Sequence, residues 1–328
     1  KPKHILIKNG LSKFYIFLNN FQEPLIKSAQ PQKPARWLHQ NNARTLLFML
    51  EGYAKLDGGI HNKKIFAKVK TDLKLLEFAI GQIDYYDPLA TVFLLDKNMP
   101  ATITNYLQAQ SREKIQSLNE ILMERKWLGE GNIRIEKIRK KLAKAGWQKE
   151  KEDIKSIQQF YITAINKILE FINQKDFHFS NVENQLHEFR RMLRWLSIYP
   201  QALQGCIQLS KSKTAVPKYL TKYLTKEITT SPYNVMPDVA DQQFILLFDQ
   251  TRFYALSWMI AEMGKLKDSG LKIELIKEAI LQTSKTNEKK ALADAYKLAG
   301  AGQLTIEQIL TTAGNINKTY CREKNLES

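Results

Sequence analysis

Apolar residues recur along this chain at intervals of three and four positions, not two. The stretches ARTLLFMLEGYAKL (residues 43–56), KVKTDLKLLEFAIGQI (68–83) and IKSIQQFYITAINKILEFI (154–172) all carry the helical period, which gathers their apolar side chains into one stripe. No alternating run between turn signals reads as a strand. The pattern predicts an all-α protein. Long helices joined by short turns favour antiparallel bundles, and no repeat of about 34 or 40 residues marks a solenoid.

Breaks in the pattern suggest boundaries. Pro34 suits the first turn of a helix running to a stop at Gly58-Gly59. Pro88 and Pro100 bound a short segment, and GEGN (129–132) separates two helices. The loop-like NQKDFHFSN (173–181) divides the chain into halves. Residues 211–240, with Pro217, Pro232 and Pro237, form an irregular zone. The expected organisation is an N-terminal extension (1–30), a first helical bundle (31–175), a second (176–315) with an insertion near 205–240, and a frayed tail (316–328).

Composition agrees with a folded chain: 328 residues, 44% hydrophobic and 10% aromatic, enough for one large core or two modest ones. Charge changes the picture. There are 50 Lys+Arg against 33 Asp+Glu, a net charge of +17. Such a surplus steers anions inward, which makes nucleic acid, acidic lipid or polyphosphate the expected partner class. Two cysteines and five histidines, without CxxC or HxxxH spacing, exclude a zinc site and a disulfide framework and fit a reducing compartment. No apolar run reaches the roughly 18 residues of a membrane span, and the opening KPKHILIKNGLSKF makes a poor signal peptide. The expectation is a cytoplasmic protein without a cofactor.

The strongest local signal is QLHEFRRMLRW (185–195). At 100° per residue, His187, Arg190, Arg191 and Arg194 fall within an arc of about 100°. Leu186, Phe189, Met192, Leu193, Trp195 and Leu196 fill the rest of the circumference. Like charges one turn apart repel, so the strip needs either carboxylates from neighbouring helices, as an internal clamp, or an anionic ligand. Arginine suits phosphate because its planar fork donates two hydrogen bonds at once. HEFRR is not a zinc-protease motif, since Arg191 stands where the second histidine would be.

With His187, Arg190 and Arg194 in place, HEFRRMLR resembles the signature of the CHAD family, the conserved histidine α-helical domain. The family's second cue, a Leu-Gly-x-x-Arg-Asp-like turn, is matched by MGKLKDSG (263–270), with Lys267 where arginine is usual. Weaker echoes lie in the first half. RWLHQNNARTLLFML (36–50) puts Arg36, His39 and Asn42 on one face, with His39 corresponding to His187, and IGQIDYYD (80–87) corresponds to MGKLKDSG. Leu46 stands in the place of Arg194, and Asp84 in that of Lys267. The two glycines, Gly81 and Gly264, lie farther apart than the two histidines by about 35 residues, which matches the irregular zone. Over residues 30–300 the resemblance implies two antiparallel helical bundles related by a pseudo-repeat, with a basic groove between them that binds inorganic polyphosphate and makes no bonds. The ExExK mark of an accompanying triphosphatase domain is missing: after Glu150 and Glu152 comes Ile154.

Other basic stretches add charge with less specificity. In PKYLTKYLTKE (217–227), Lys218, Lys222 and Lys226 form a four-spaced stripe beside Tyr219 and Tyr223. From Lys211 to Lys226 there are five lysines and no acid. Phosphate binding and a solvated face are equal readings, and tyrosine beside lysine also suits base stacking. HNKKIFAKVKTDLK (61–74) and IRIEKIRKKLAKAG (133–146) read as amphipathic helices with cationic outer faces. The candidate polyanion-binding residues are therefore His187, Arg190, Arg191, Arg194, His39, Arg36, Lys267, Lys218, Lys222 and Lys226.

Four functions follow from these residues. The first is non-enzymatic polyphosphate binding. The second is nucleic-acid binding, although no helix-turn-helix, zinc finger or RNA-recognition signature occurs. The third is an enzyme, disfavoured because no carboxylate cluster, GxSxG or GxxxxGK[ST] is present. The fourth is an interaction protein for acidic partners.

Overall fold

The three- and four-residue spacing becomes helix along most of the chain. A computed structural model describes residues 10–30, 33–174, 177–211, 215–239 and 242–326. Its helices in the first half are α1 (Gly10–Ser28), α2 (Pro34–Gln40), α3 (Ala43–Ile60), α4 (Lys63–Leu95), α5 (Ala101–Glu124), α6 (Ile133–Leu142) and α7 (Glu150–Ile172). After these come α8 (Glu188–Ala202), the single turn α9 (Lys226–Thr229), α10 (Gln250–Thr283), α11 (Glu288–Ala299) and α12 (Ile306–Arg322). The protein is predominantly all-α. Among the described residues, no helix is long and apolar enough to cross a membrane.

Several helix ends follow from capping chemistry. Asn62 accepts from the Ile65 amide at 3.1 Å to start α4, and Asp249 accepts from the Arg252 amide at 2.8 Å to start α10. Thr305 and Gln308 close a reciprocal capping box on α12, relieving amides that have no partner inside the helix.

Other breaks differ from the sequence expectation. The helix beginning at Pro34 stops at Gln40, because Asn42 takes a left-handed φ of 55° before α3. The stop expected at Gly58-Gly59 is found one residue later, α3 ending at Ile60. A Cβ on Gly59 would stand 2.8 Å from the Phe160 ring of α7, so close packing is what this glycine permits. Pro88 likewise sits within α4, which continues to Leu95 with one helical N–H missing.

Two short strands correct the expectation of none. β1 (Ile207–Ser210) and β2 (Leu246–Asp249) pair in parallel, Ile207 opposite Leu246 and Ser210 opposite Asp249. Four residues are too few for alternation to show against noise. The pair closes the base of the irregular zone. Lys213 within it and the opening residues 1–9 lie outside the described residues.

One continuous apolar cluster runs from Phe14 in α1 to Tyr320 in α12. α3 packs on α1, α4, α7 and α8, and α5 packs on α10, so helices of the two halves share a core. The described part of the expected N-terminal extension belongs to that core, with Phe14, Leu18, Phe21 and Leu25 fully buried. The expected fraying of the tail is corrected too. α12 continues to Arg322 with Tyr320 at 0% exposure, held down by α12's packing on α10.

Candidate anion-binding cleft

A π-helical turn, Val182–His187, leads into α8. Its first turn is fixed by Asn181, which accepts from the Asn184 amide at 2.7 Å. Leu186, Phe189 and Leu193 then point into the core, fully buried. That packing leaves the cationic strip only one way to face. His187, Arg190, Arg191 and Arg194 all line a cleft of about 290 Å³ between α8 and the α3–α4 pair. The strip read from sequence is brought together.

The opposite wall adds cations that the sequence reading did not assign. Arg44 and Lys55 come from α3, and Lys70 and Lys74 from α4. Arg44 and Lys55 are eleven residues apart, three helical turns, and so share a face. That spacing was the available signal. Lys70 and Lys74 fell within a stretch read as a solvated outer face.

Carboxylates compensate only part of this charge. Arg44 donates from Nε to Glu77 at 2.9 Å and from Nη1 to Asp84 at 2.5 Å. His187 Nδ1 lies 3.0 Å from Glu183, whose carboxyl is lowered mainly by that hydrogen bond. Arg191 pairs with Glu188. Carboxylates of a neighbouring helix thus clamp Arg44, whereas His187 and Arg191 pair within their own helical segment and not across helices as the clamp required. Glu51 lines the same cleft, buried, and burial followed by the nearby Glu77 raises its carboxyl.

Arg190, Arg194 and Lys55 are different: among the described residues, none of them forms an ion pair with a carboxylate. Arg190 donates from Nε to the Ile260 carbonyl at 3.2 Å. The Arg194 guanidinium lies over the Phe48 ring, 4.2 Å from its centroid, and the Lys55 ammonium over Trp195 at 4.8 Å. Such faces attract cations without neutralising them. Burial, then the charges of Arg190 and Arg44, pushes Arg194 down to about 10. Burial, then Lys70, pushes Lys55 down to about 8. Burial also lowers Arg190.

Two arginines cross glycines in the same manner. Arg44 lies across Gly81, where a Cβ would stand 2.5 Å from Nη2, and Arg190 lies across Gly264. Arg44 and Arg190 thus each seat a guanidinium against a helical glycine.

The remaining candidates do not line the cleft. His39 Nε2 sits 2.8 Å from Asp84, and Arg36 lies 4.0 Å from Asp87. Both belong to an α2–α4 clamp and do not stand opposite the strip, as had been expected. Burial alone would raise Asp84, but the His39 hydrogen bond and Arg44 outweigh it and lower the carboxyl. Lys267 is held by its neighbour Asp268 at 2.5 Å. Lys222 pairs with Glu323, which also accepts from the Tyr223 hydroxyl, while Lys218 and Lys226 are exposed. The lysine stripe is therefore a surface of its own, anchored to the C-terminal segment.

Among the described residues, no group of three or more His, Cys, Asp or Glu side chains could hold a metal ion. What the cleft offers is electrostatic and geometric: arginine forks and an ammonium, half-buried, with carboxylates such as Glu51, Glu77 and Asp268 near but in no ion pair with them among the described residues. No protein-family model, no curated protein and no solved structure matches this chain.

Proposed function

We propose that this protein binds a phosphate-rich anion, of the inorganic polyphosphate type, in the cleft between α8 and the α3–α4 pair. One observation carries the reading: Arg190, Arg194 and Lys55 are gathered there, none of them in an ion pair with a carboxylate among the described residues. Gathering cations out of water without ion-pair partners costs free energy, and a multivalent anion would recover it through charge-assisted hydrogen bonds. The resemblance of HEFRRMLR to the CHAD signature supports the same ligand class. The reading includes a cytoplasmic location and needs no cofactor and no catalytic step. Nucleic acid is the second reading, favoured only by the overall charge of +17.

Titration calorimetry with long-chain polyphosphate, at low and moderate salt, tests it. Counterion release makes the expected affinity fall steeply with salt, and the double variant Arg190→Gln/Arg194→Gln should lose it. Binding that ignores both arginines would sink the proposal. Competition against DNA or RNA of matched charge distinguishes the second reading.

A further inference from the structure

Beside the cationic cleft lies a second hollow of about 440 Å³, and the two share Phe48, Arg190, Arg194 and Ile198. The chemistry changes across that boundary. Past the two arginines, the only other charged side chain lining the hollow among the described residues is Glu227, which is drawn toward Lys265 at 3.6 Å. The walls are otherwise neutral: hydroxyl and amide groups such as Ser197, Gln201, Ser257 and Tyr233 alternate with apolar Met49 and Ile260.

Parts of this wall are built, not incidental. Gln201 donates from Nε2 to the Tyr233 and Val235 carbonyls at 3.2 and 2.7 Å. The buried Asn234 accepts from the Ser257 hydroxyl at 2.5 Å and donates to the Ile228 carbonyl at 2.8 Å. These bonds hold the segment 228–235 as a fixed rim. Tyr233 on that rim is 71% exposed and lines the same hollow as Arg194.

A bare phosphate chain would gain nothing from a neutral, half-apolar chamber. Small-molecule sites have this makeup, mostly apolar with a few placed polar groups, at volumes of roughly 300–1,000 Å³. From the segregation of charge we infer that the ligand is bipartite: an oligophosphate seated on Arg190, Arg194 and the cationic cleft, carrying an uncharged, hydrogen-bonding head group of nucleoside type in the second hollow. The inference rests on the anion-binding reading and specifies its ligand class.

Calorimetry at one salt concentration should compare sodium tripolyphosphate with adenosine and uridine triphosphates, all without divalent cations. At least one nucleotide should bind tighter than tripolyphosphate by more than about threefold. Ser197→Leu, which fills the hollow from α8, and Tyr233→Ala, on the exposed rim, should each bring that nucleotide toward the tripolyphosphate level. If tripolyphosphate binds as well as both nucleotides, the head-group chamber is refuted while anion binding stands. A nucleotide preference that neither substitution touches also refutes it. If neither tripolyphosphate nor nucleotide binds, this inference fails, while the titration with long-chain polyphosphate decides the anion-binding reading separately.

Discussion

Arg190 lies across Gly264 so closely that a Cβ on that glycine would stand 2.9 Å from its Nε. The same Nε donates to the Ile260 carbonyl, so the contact seats the guanidinium as well as packing it. In Gly264→Ala the helical gain of about 1 kcal/mol offsets much of the displacement of Arg190. Urea denaturation should therefore change by less than about 1 kcal/mol in either direction. Affinity for tripolyphosphate should fall about tenfold, as expected for a disturbed charge-assisted contact. Unchanged affinity would separate Arg190 from the ligand.

Arg194 should trade stability for binding. It is cationic, half-buried and unpaired with any carboxylate among the described residues, resting only on the Phe48 ring. Methionine has a similar length and no charge to desolvate. Arg194→Met should stabilise the protein by about 0.5–2 kcal/mol in urea melts while weakening anion binding. A destabilised variant would mean that a carboxylate or carbonyl compensates Arg194 in solution.

Lys55 gives binding a pH limb. Its ammonium, pushed down to about 8, is charged at pH 7 and increasingly neutral at pH 9. Tripolyphosphate affinity should decline across that interval, and the step should disappear in Lys55→Arg, whose charge does not titrate there. A flat profile in the wild type would place the bound anion away from Lys55.

Asp153 lies in a buried polar group facing Lys13 and Asp57, with His61 Nε2 3.5 Å from its Oδ1 and with Glu150 and Glu152 on its own helix. Burial is the main cause that raises its carboxyl from 3.8 to about 6, against the pull of Lys13. Because the folded state holds this proton more tightly than the unfolded chain, ionised Asp153 destabilises. The cost is absent below about pH 4, grows as pH rises toward 6 and is complete above it. Asp153→Asn should exceed the wild type in stability by roughly 1–3 kcal/mol at pH 7.5 and lose the advantage near pH 4. His61, 3.5 Å away and lowered by burial, is replaced in a matched pair, His61→Gln with and without Asp153→Asn, so that its own titration is absent from the comparison. A pH-independent difference would contradict the assignment.

The helical class and the cationic strip were legible because both are local. Helical period and arc depend on residues within a few turns, and in QLHEFRRMLRW the same eleven-residue window holds the buried and the charged faces. What escaped the reading depends on partners remote in sequence. His39 looked like a ligand residue until Asp84, on another helix, claimed it. Arg44 and Lys55 gave no sign of facing α8, since nothing in their own helix says which neighbour covers it. Tyr320 sits in a polar stretch and is buried where α12 packs on α10 and its ring meets Tyr223. The Asn42 break was similarly hidden, because a left-handed residue leaves the flanking apolar period intact.

The parallel strand pair Ile207–Ser210 and Leu246–Asp249 works as a clasp at the neck of a chain excursion. The rim of the second hollow, residues 228–235, hangs beyond that clasp, while the arginines are rooted in the bundle. Lengthening or shortening a loop whose ends are already fastened costs little, since closure entropy grows only with the logarithm of length. Grafted excursions of different length and composition can therefore reshape one side of the ligand chamber while the helices that hold the charge stay as they are.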